Sequence, residues 1–137
     1  MEAIERTVAA IKGTVILVAH SGGVILVAHW ARKYPRTIQG ALLAVPPDFD
    51  HPLPAGYPTM EELRSNGWLP VPRAALPFPS LVAASTNDPL ARLDRVEAMA
   101  RDWGSTLVNM GAVGHLNPAS GFGEWRQADD LIQQLER

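Results

Sequence analysis

At 137 residues the chain is the size of a single domain, residues 1–137, and leaves no room for a second core. Hydrophobic residues at 47% and charged residues at 19% are the balance of a chain that folds around a core, not of a disordered one. Twelve Lys and Arg against fourteen Asp and Glu give a net charge of −2, which excludes the basic excess that a nucleic-acid partner requires.

In chain order, Glu2 to Lys12 places Ile4, Val8 and Ile11 at helical spacing, with Gly13 as a stop. The charged start, Met1 to Arg6, lacks the basic-then-apolar profile of a signal peptide. Thr14 to Ala19 is an unalternated β-branched and aliphatic run, the pattern of a strand buried on both faces of a parallel sheet. Beyond Gly22-Gly23, residues Val24, Val27, Ala28 and Ala31 continue on a helical face that closes at Arg32-Lys33-Tyr34-Pro35. The hexapeptide Val15 to His20 recurs letter for letter as Val24 to His29, so a β-hairpin through Ser21-Gly22-Gly23 competes with strand, turn, helix. Propensity favours the hairpin. The run into Trp30-Ala31-Arg32-Lys33 and the alternation of the neighbouring elements favour the helix. The stretch Val15 to Ala31 is also too interrupted, by His20 to Gly23 and by His29, to span a bilayer.

Ile38 to Val45, Ser80 to Ser85 and Thr106 to Met110 read as further strands. Pro89 to Trp103 reads as a helix with Leu93, Val96, Met99, Ala100 and Trp103 on one face and Gly104 at its end. Gly123 to Glu136 reads as a last helix with Trp125, Ala128, Leu131, Ile132 and Leu135 as its stripe. Strands alternating with helices predict an α/β fold: a three-layer αβα sandwich on a mostly parallel sheet of about four strands. Between the second and third strands, Pro46 to Pro79 holds nine of the twelve prolines together with Phe49, Tyr57, Trp68 and Phe78. Proline lacks a ladder donor, so this segment cannot supply central strands. It is expected to be a long loop, either a lid or pocket wall over the sheet or a plain surface excursion.

Given strand, turn, helix, Ala19-His20-Ser21-Gly22-Gly23 fits the nucleophile-elbow pattern G-x-S-x-G with Ala in the first small position. Such a bend aims the Ser21 hydroxyl outward, and the Gly22 N–H at the helix start points where an oxyanion would form. The plainer role for Ser21 is to cap the helix. A serine nucleophile needs a base oriented by an acid. Asp88 follows the third strand and His115 the fourth, in the chain order Ser, acid, His of an α/β-hydrolase. Asp88 has a competing role as a helix N-cap before Pro89. All three residues fall at the carboxyl end of a parallel sheet, where open α/β folds bind ligands. His20 beside the serine and Trp68 in the Pro-rich loop are candidates to line a substrate site. The histidines show no metal-ligand spacing, and an acyl-serine reaction calls for no cofactor. A nucleotide-binding turn at Gly22-Gly23 is a poor fit, because the G-x-G-x-x-G fingerprint is absent. The absence of cysteine excludes disulfides and thiolate chemistry and, with the charged start, leads us to expect a cytoplasmic protein.

Several segments in order, Val18-Ala19-His20-Ser21-Gly22-Gly23, Gly40 to Asp48, Leu76 to Ser80, Ser85-Thr86-Asn87-Asp88-Pro89 and Gly114-His115-Leu116-Asn117, resemble the small α/β-hydrolase family of retinoblastoma-binding protein nine and bacterial YdeN. The resemblance implies a serine hydrolase acting on small esters or amides, in which Ser21, Asp88 and His115 match nucleophile, acid and base. It implies that Ala-His-Ser is an admissible elbow. Relatives open with a further segment that supplies a first strand, the loop carrying a second oxyanion donor and a second strand, and by this resemblance the sequence is expected to start at the helix before the nucleophile strand. One such donor is worth about a hundred- to a thousandfold in turnover, so the expectation is impaired activity or, alternatively, a hydrolase-like interaction module. The strand Thr14 to Ala19 then becomes an apolar sheet edge, where a second copy of the chain is expected to pair.

Overall fold

The computed structural model describes residues 1–117, 121 and 125–136. The elements in order are α1 (Glu2–Ala10), β1 (Ile16–His20), α2 (Gly22–Lys33), β2 (Gly40–Ala44), α3 (Met60–Ser65), β3 (Ser80–Ala84), α4 (Leu93–Trp103), β4 (Thr106–Asn109) and α5 (Gln127–Glu136). The four strands form one parallel sheet in the order β1-β2-β3-β4. The register pairs Val18 with Leu42, Leu43 with Val82 and Ala83 with Val108. Consecutive parallel strands joined by right-handed crossovers carry their helices on one face. Accordingly Val24, Ile25, Val27, Trp30 and Ala31 of α2 and Val96, Met99, Ala100 and Trp103 of α4 share a core with Ala41, Leu43, Val82 and Ala84. The alternate strand residues Leu42, Ala44, Leu81 and Ala83 face the other way, onto Leu131 and Leu135 of α5. The predicted three-layer αβα sandwich is therefore present, with a wholly parallel sheet.

The hairpin alternative for the repeated hexapeptide is overturned: its first copy is strand from Ile16, and its second copy is helix throughout. The interior of the domain decides this. Val24, Ile25, Val27 and Ala28 are buried on the α2 side, which outweighs a β-propensity scale spanning about 1 kcal/mol. Helix α4 begins at Leu93 rather than Pro89, with Arg92 at its N-cap, so Asp88 does not cap it. Of the predicted C-terminal helix, residues 123–124 lie outside the described residues; Trp125 precedes α5, its ring packed against the α5-side core.

The Pro-rich stretch is more ordered than a surface excursion. It contains α3, started by a capping box in which the Thr59 hydroxyl accepts from the Glu62 N–H and the Glu62 carboxylate accepts from the Thr59 N–H. Leu63, Phe49, Val71 and Phe78 join the α2-side core. An ionic network moors the segment to α4: the Asp48 carboxylate accepts from His51 Nδ1 (2.7 Å) and Arg95 Nε (3.3 Å). Arg73 bridges Asp50 and Asp102. At the other end, Glu5 of α1 accepts from Arg36 and from the Trp30 indole, and the Arg36 contact above all holds its carboxyl below the usual range.

Among the described residues β1 has one neighbour, β2, and Val18 stands 55% exposed on that edge strand. An uncharged edge is a template for pairing, and a lysine blunts it. Val18→Lys is expected to leave stability within about 0.5 kcal/mol of the parent, read as an unchanged urea midpoint. Gly40 is the point where α5 crosses the sheet: a Cβ there would lie 2.9 Å from Leu135 Cδ2 and 3.1 Å from the Pro79 carbonyl oxygen. Gly40→Ala is expected to cost about 1–3 kcal/mol by overpacking, read as a lower urea midpoint at unchanged slope.

Candidate active site

A parallel sheet sends the chain off every strand at the same edge, and three of those exits build the site. After β1 the backbone bends at Ser21, which sits at φ 58° and ψ −126°. Left-handed backbone is uncommon for a residue with a Cβ and is strained by about 1–3 kcal/mol. The bend is held because the Ser21 N–H donates to the Ala44 carbonyl at the end of β2, while the Ser21 carbonyl accepts from Val24 N–H (both 2.9 Å). Small neighbours permit it: a Cβ on Gly23 would lie 3.8 Å from the Ala19 Cβ, ordinary contact that a larger side chain at position 19 would close. Ser21 occupies the N-cap of α2, yet its side chain makes no capping bond. Its Oγ lies 2.6 Å from His115 Nε2 instead.

His115 comes from the loop after β4, where Gly111, Gly114 and Leu116 all have positive φ (77°, 59° and 52°). Its Nδ1 is 3.0 Å from both Asp88 oxygens. Asp88 lies in the turn after β3, where its Oδ1 also accepts from Leu90 N–H at 2.9 Å. The His115 and Asp88 side chains are 7% and 1% exposed. A buried carboxylate needs such donors, and because it only accepts, Nδ1 of His115 carries the proton. In the neutral ring Nε2 is then the acceptor for the Ser21 hydroxyl. The geometry thus joins the three residues that the sequence singled out, Ser21, His115 and Asp88, in one hydrogen-bonded chain. Gly22 is the first residue of α2, so its N–H has no partner within the helix and lies at the positive end of the helix dipole.

The other two predicted site residues stand differently. His20, exposed at the end of β1, places its Nε2 2.7 Å from the His115 carbonyl oxygen, with the two rings 5.1 Å apart. Trp68 packs edge-on against Phe49 at 5.7 Å, and its carbonyl accepts from His29 Nε2; these are contacts of the α2-side core. Sequence reasoning passed over Asn87, whose Oδ1 accepts from Gly114 N–H (2.7 Å) and from Ser85 Oγ (3.0 Å). Its one available signal was its place immediately before Asp88. Asp48, buried after β2, was also passed over; it organises the His51 and Arg95 contacts. Among the described residues no group of three or more His, Asp or Glu could hold a metal ion, and no helix is long and apolar enough to cross a membrane.

The sequence model of a family described as serine hydrolase matches residues 1–134. Among solved structures the chain is similar to a YdeN-like hydrolase from Pectobacterium atrosepticum at 28% identity and a TM-score of 0.77, covering 98% of this chain and 65% of that one. It is similar in fold to a hydrolase of the alpha/beta superfamily from Xanthomonas campestris, at 24% identity and a TM-score of 0.55, covering 97% of this chain and 66% of that one. It also resembles in fold a thermophilic esterase from Thermogutta terrifontis, at 17% identity and a TM-score of 0.64 over 99% of this chain and 71% of that one. The chain thus spans just under two thirds of the first two of these. None of the curated proteins matches it.

Proposed function

We propose that this chain, which belongs to the serine hydrolase family, cleaves small carboxylic esters or amides through a Ser21–His115–Asp88 triad and an acyl-enzyme. The observation that carries the reading is the 2.6 Å approach of Ser21 Oγ to His115 Nε2, with Nδ1 of the same ring on both Asp88 oxygens.

Ser21 Oγ attacks the carbonyl carbon while His115 Nε2 takes its proton. Asp88 keeps the ring in the tautomer that leaves Nε2 free to accept, and stabilises the imidazolium that forms. The Gly22 N–H, fixed at the helix start, faces the developing oxyanion. His115 returns the proton to the leaving alcohol or amine as the C–O or C–N bond breaks, which leaves Ser21 acylated. Water then attacks the acyl carbon with His115 again as base, and the acid departs as Ser21 regains its proton. Ser21 is half-buried rather than enclosed in the core.

The test is labelling by a fluorophosphonate probe alongside hydrolysis of an activated acetate ester. Ser21→Ala is expected to abolish both while the fold, by circular dichroism, is retained. Asp88→Asn and His115→Ala are each expected to lower kcat by about 10³–10⁴ with little change in KM. A folded parent chain that takes no label, or label retained in Ser21→Ala, overturns the reading in favour of a hydrolase-like module without this chemistry.

A further inference from the structure

We infer that His20 and Asn87 are positioning residues that together hold the His115 imidazole against Ser21 and Asp88, each acting from the position immediately before one of those two partners. The inference rests on the triad reading and extends it.

The base needs outside support because its loop supplies little of its own. Residues Gly111 to Asn117 contain no regular element, and Gly114 and Leu116, on either side of His115, both have positive φ. Within the loop, Val113 N–H reaches the Gly111 carbonyl and Leu116 N–H reaches the Val113 carbonyl at 3.0 and 3.2 Å. Neither bond engages the backbone of His115. At the foot of the loop, Thr86 N–H donates to the Gly111 carbonyl. The bonds next to the imidazole come from elsewhere. Asn87 Oδ1 accepts from the Gly114 N–H and His20 Nε2 donates to the His115 carbonyl, both at 2.7 Å. These two bonds bracket the His115 Cα, so the direction of its Cα–Cβ bond is set from both sides.

Each anchor is itself fixed. Asn87 is oriented by Ser85, buried to 1% exposure, whose hydroxyl donates to the same Oδ1 while accepting from the Asn87 N–H. His20 is the last residue of β1, in register with Ala44. The acceptor is a carbonyl, so Nε2 of His20 carries the proton, which the neutral and the charged ring both provide. Any movement of the nucleophile's strand or of the acid's turn therefore carries the base along, and the spacing of the three groups is preserved. A misplacement of about 1 Å at a reacting group is worth about a hundredfold in rate. Both anchors are exposed residues, so shortening either removes no core packing and opens its own place to water. The cost then falls on catalysis, not on folding.

The experiment measures ester hydrolysis and the rate of fluorophosphonate labelling for the parent chain, Ser21→Ala, His20→Ala, His20→Gln and Asn87→Ala, with melting temperature followed on each. The amide nitrogen of Gln reaches about as far as Nε2 and donates to the same carbonyl. His20→Ala and Asn87→Ala are each expected to lower kcat and the labelling rate about ten- to a hundredfold at unchanged KM, and His20→Gln to recover most of the loss. Unchanged rates in both alanine variants overturn the inference. So does a rise in KM at unchanged kcat, which makes His20 a substrate contact, or a loss in His20→Ala that Gln leaves unrepaired. A parent chain without Ser21-dependent labelling removes the triad reading itself, and this inference with it; normal labelling of the parent beside unaffected anchor variants removes this inference alone.

Discussion

Every strand of the sheet runs in the same direction, and the site exists because of that. Parallel pairing in the order β1-β2-β3-β4 brings the exits of β1, β3 and β4 to one edge. Residues as far apart in the chain as Ser21 and His115 come within hydrogen-bond distance there without either loop being long. The sheet holds its shape because β2 and β3 are buried along their whole length, between α2 and α4 on one face and α5 on the other. Burial on both faces favours the unalternated apolar runs of β2 and β3; the run Thr14 to Ala19, which reads the same way, is instead an edge strand with Val18 exposed, because burial depends on what lies beside a strand and not on its own letters.

At the edge, tertiary contacts replace local ones. Ser21 stands where a serine ordinarily caps a helix, and Asp88 stands ahead of a proline where an aspartate ordinarily does the same. Neither caps. The Ser21 side chain turns to His115, and α4 starts after Arg92, which leaves the Asp88 carboxylate to the His115 ring and the Leu90 N–H. The strain at Ser21 is sustained by the Ala44 and Val24 bonds on either side of it. Val45, the residue after β2, is buried and also has positive φ, at 44°, a conformation that a β-branched side chain rarely adopts. Strained backbone at the carboxyl edge of the sheet is consistent with groups held in place before any substrate arrives.

The Pro-rich stretch shows how composition can mislead about order. Its prolines exclude central strands, as expected, but they do not prevent a capped helix, α3, or the insertion of Leu63 and Phe78 into the core. The signal for α3 was present as Thr59 and Glu62, three residues apart. The ion pairs that dock the segment on α4 join residues up to 47 positions apart, which no local pattern encodes.

The sequence by itself determined the alternation of strands and helices, the positions of all four strands to within about two residues, and the chain order of Ser21, Asp88 and His115. Each of these is written in short-range periodicity or in the steric demands of one turn. Tertiary structure alone decided what the repeated hexapeptide becomes: Val15 to His20 ends as edge strand and Val24 to His29 as buried helix, from identical letters. It also decided that His20 turns to the His115 carbonyl, that Asn87 holds Gly114, and that Trp68 packs with Phe49. These outcomes depend on partners 19 to 95 residues away, or on which neighbours fill the space around a side chain, and propensity carries no information about either.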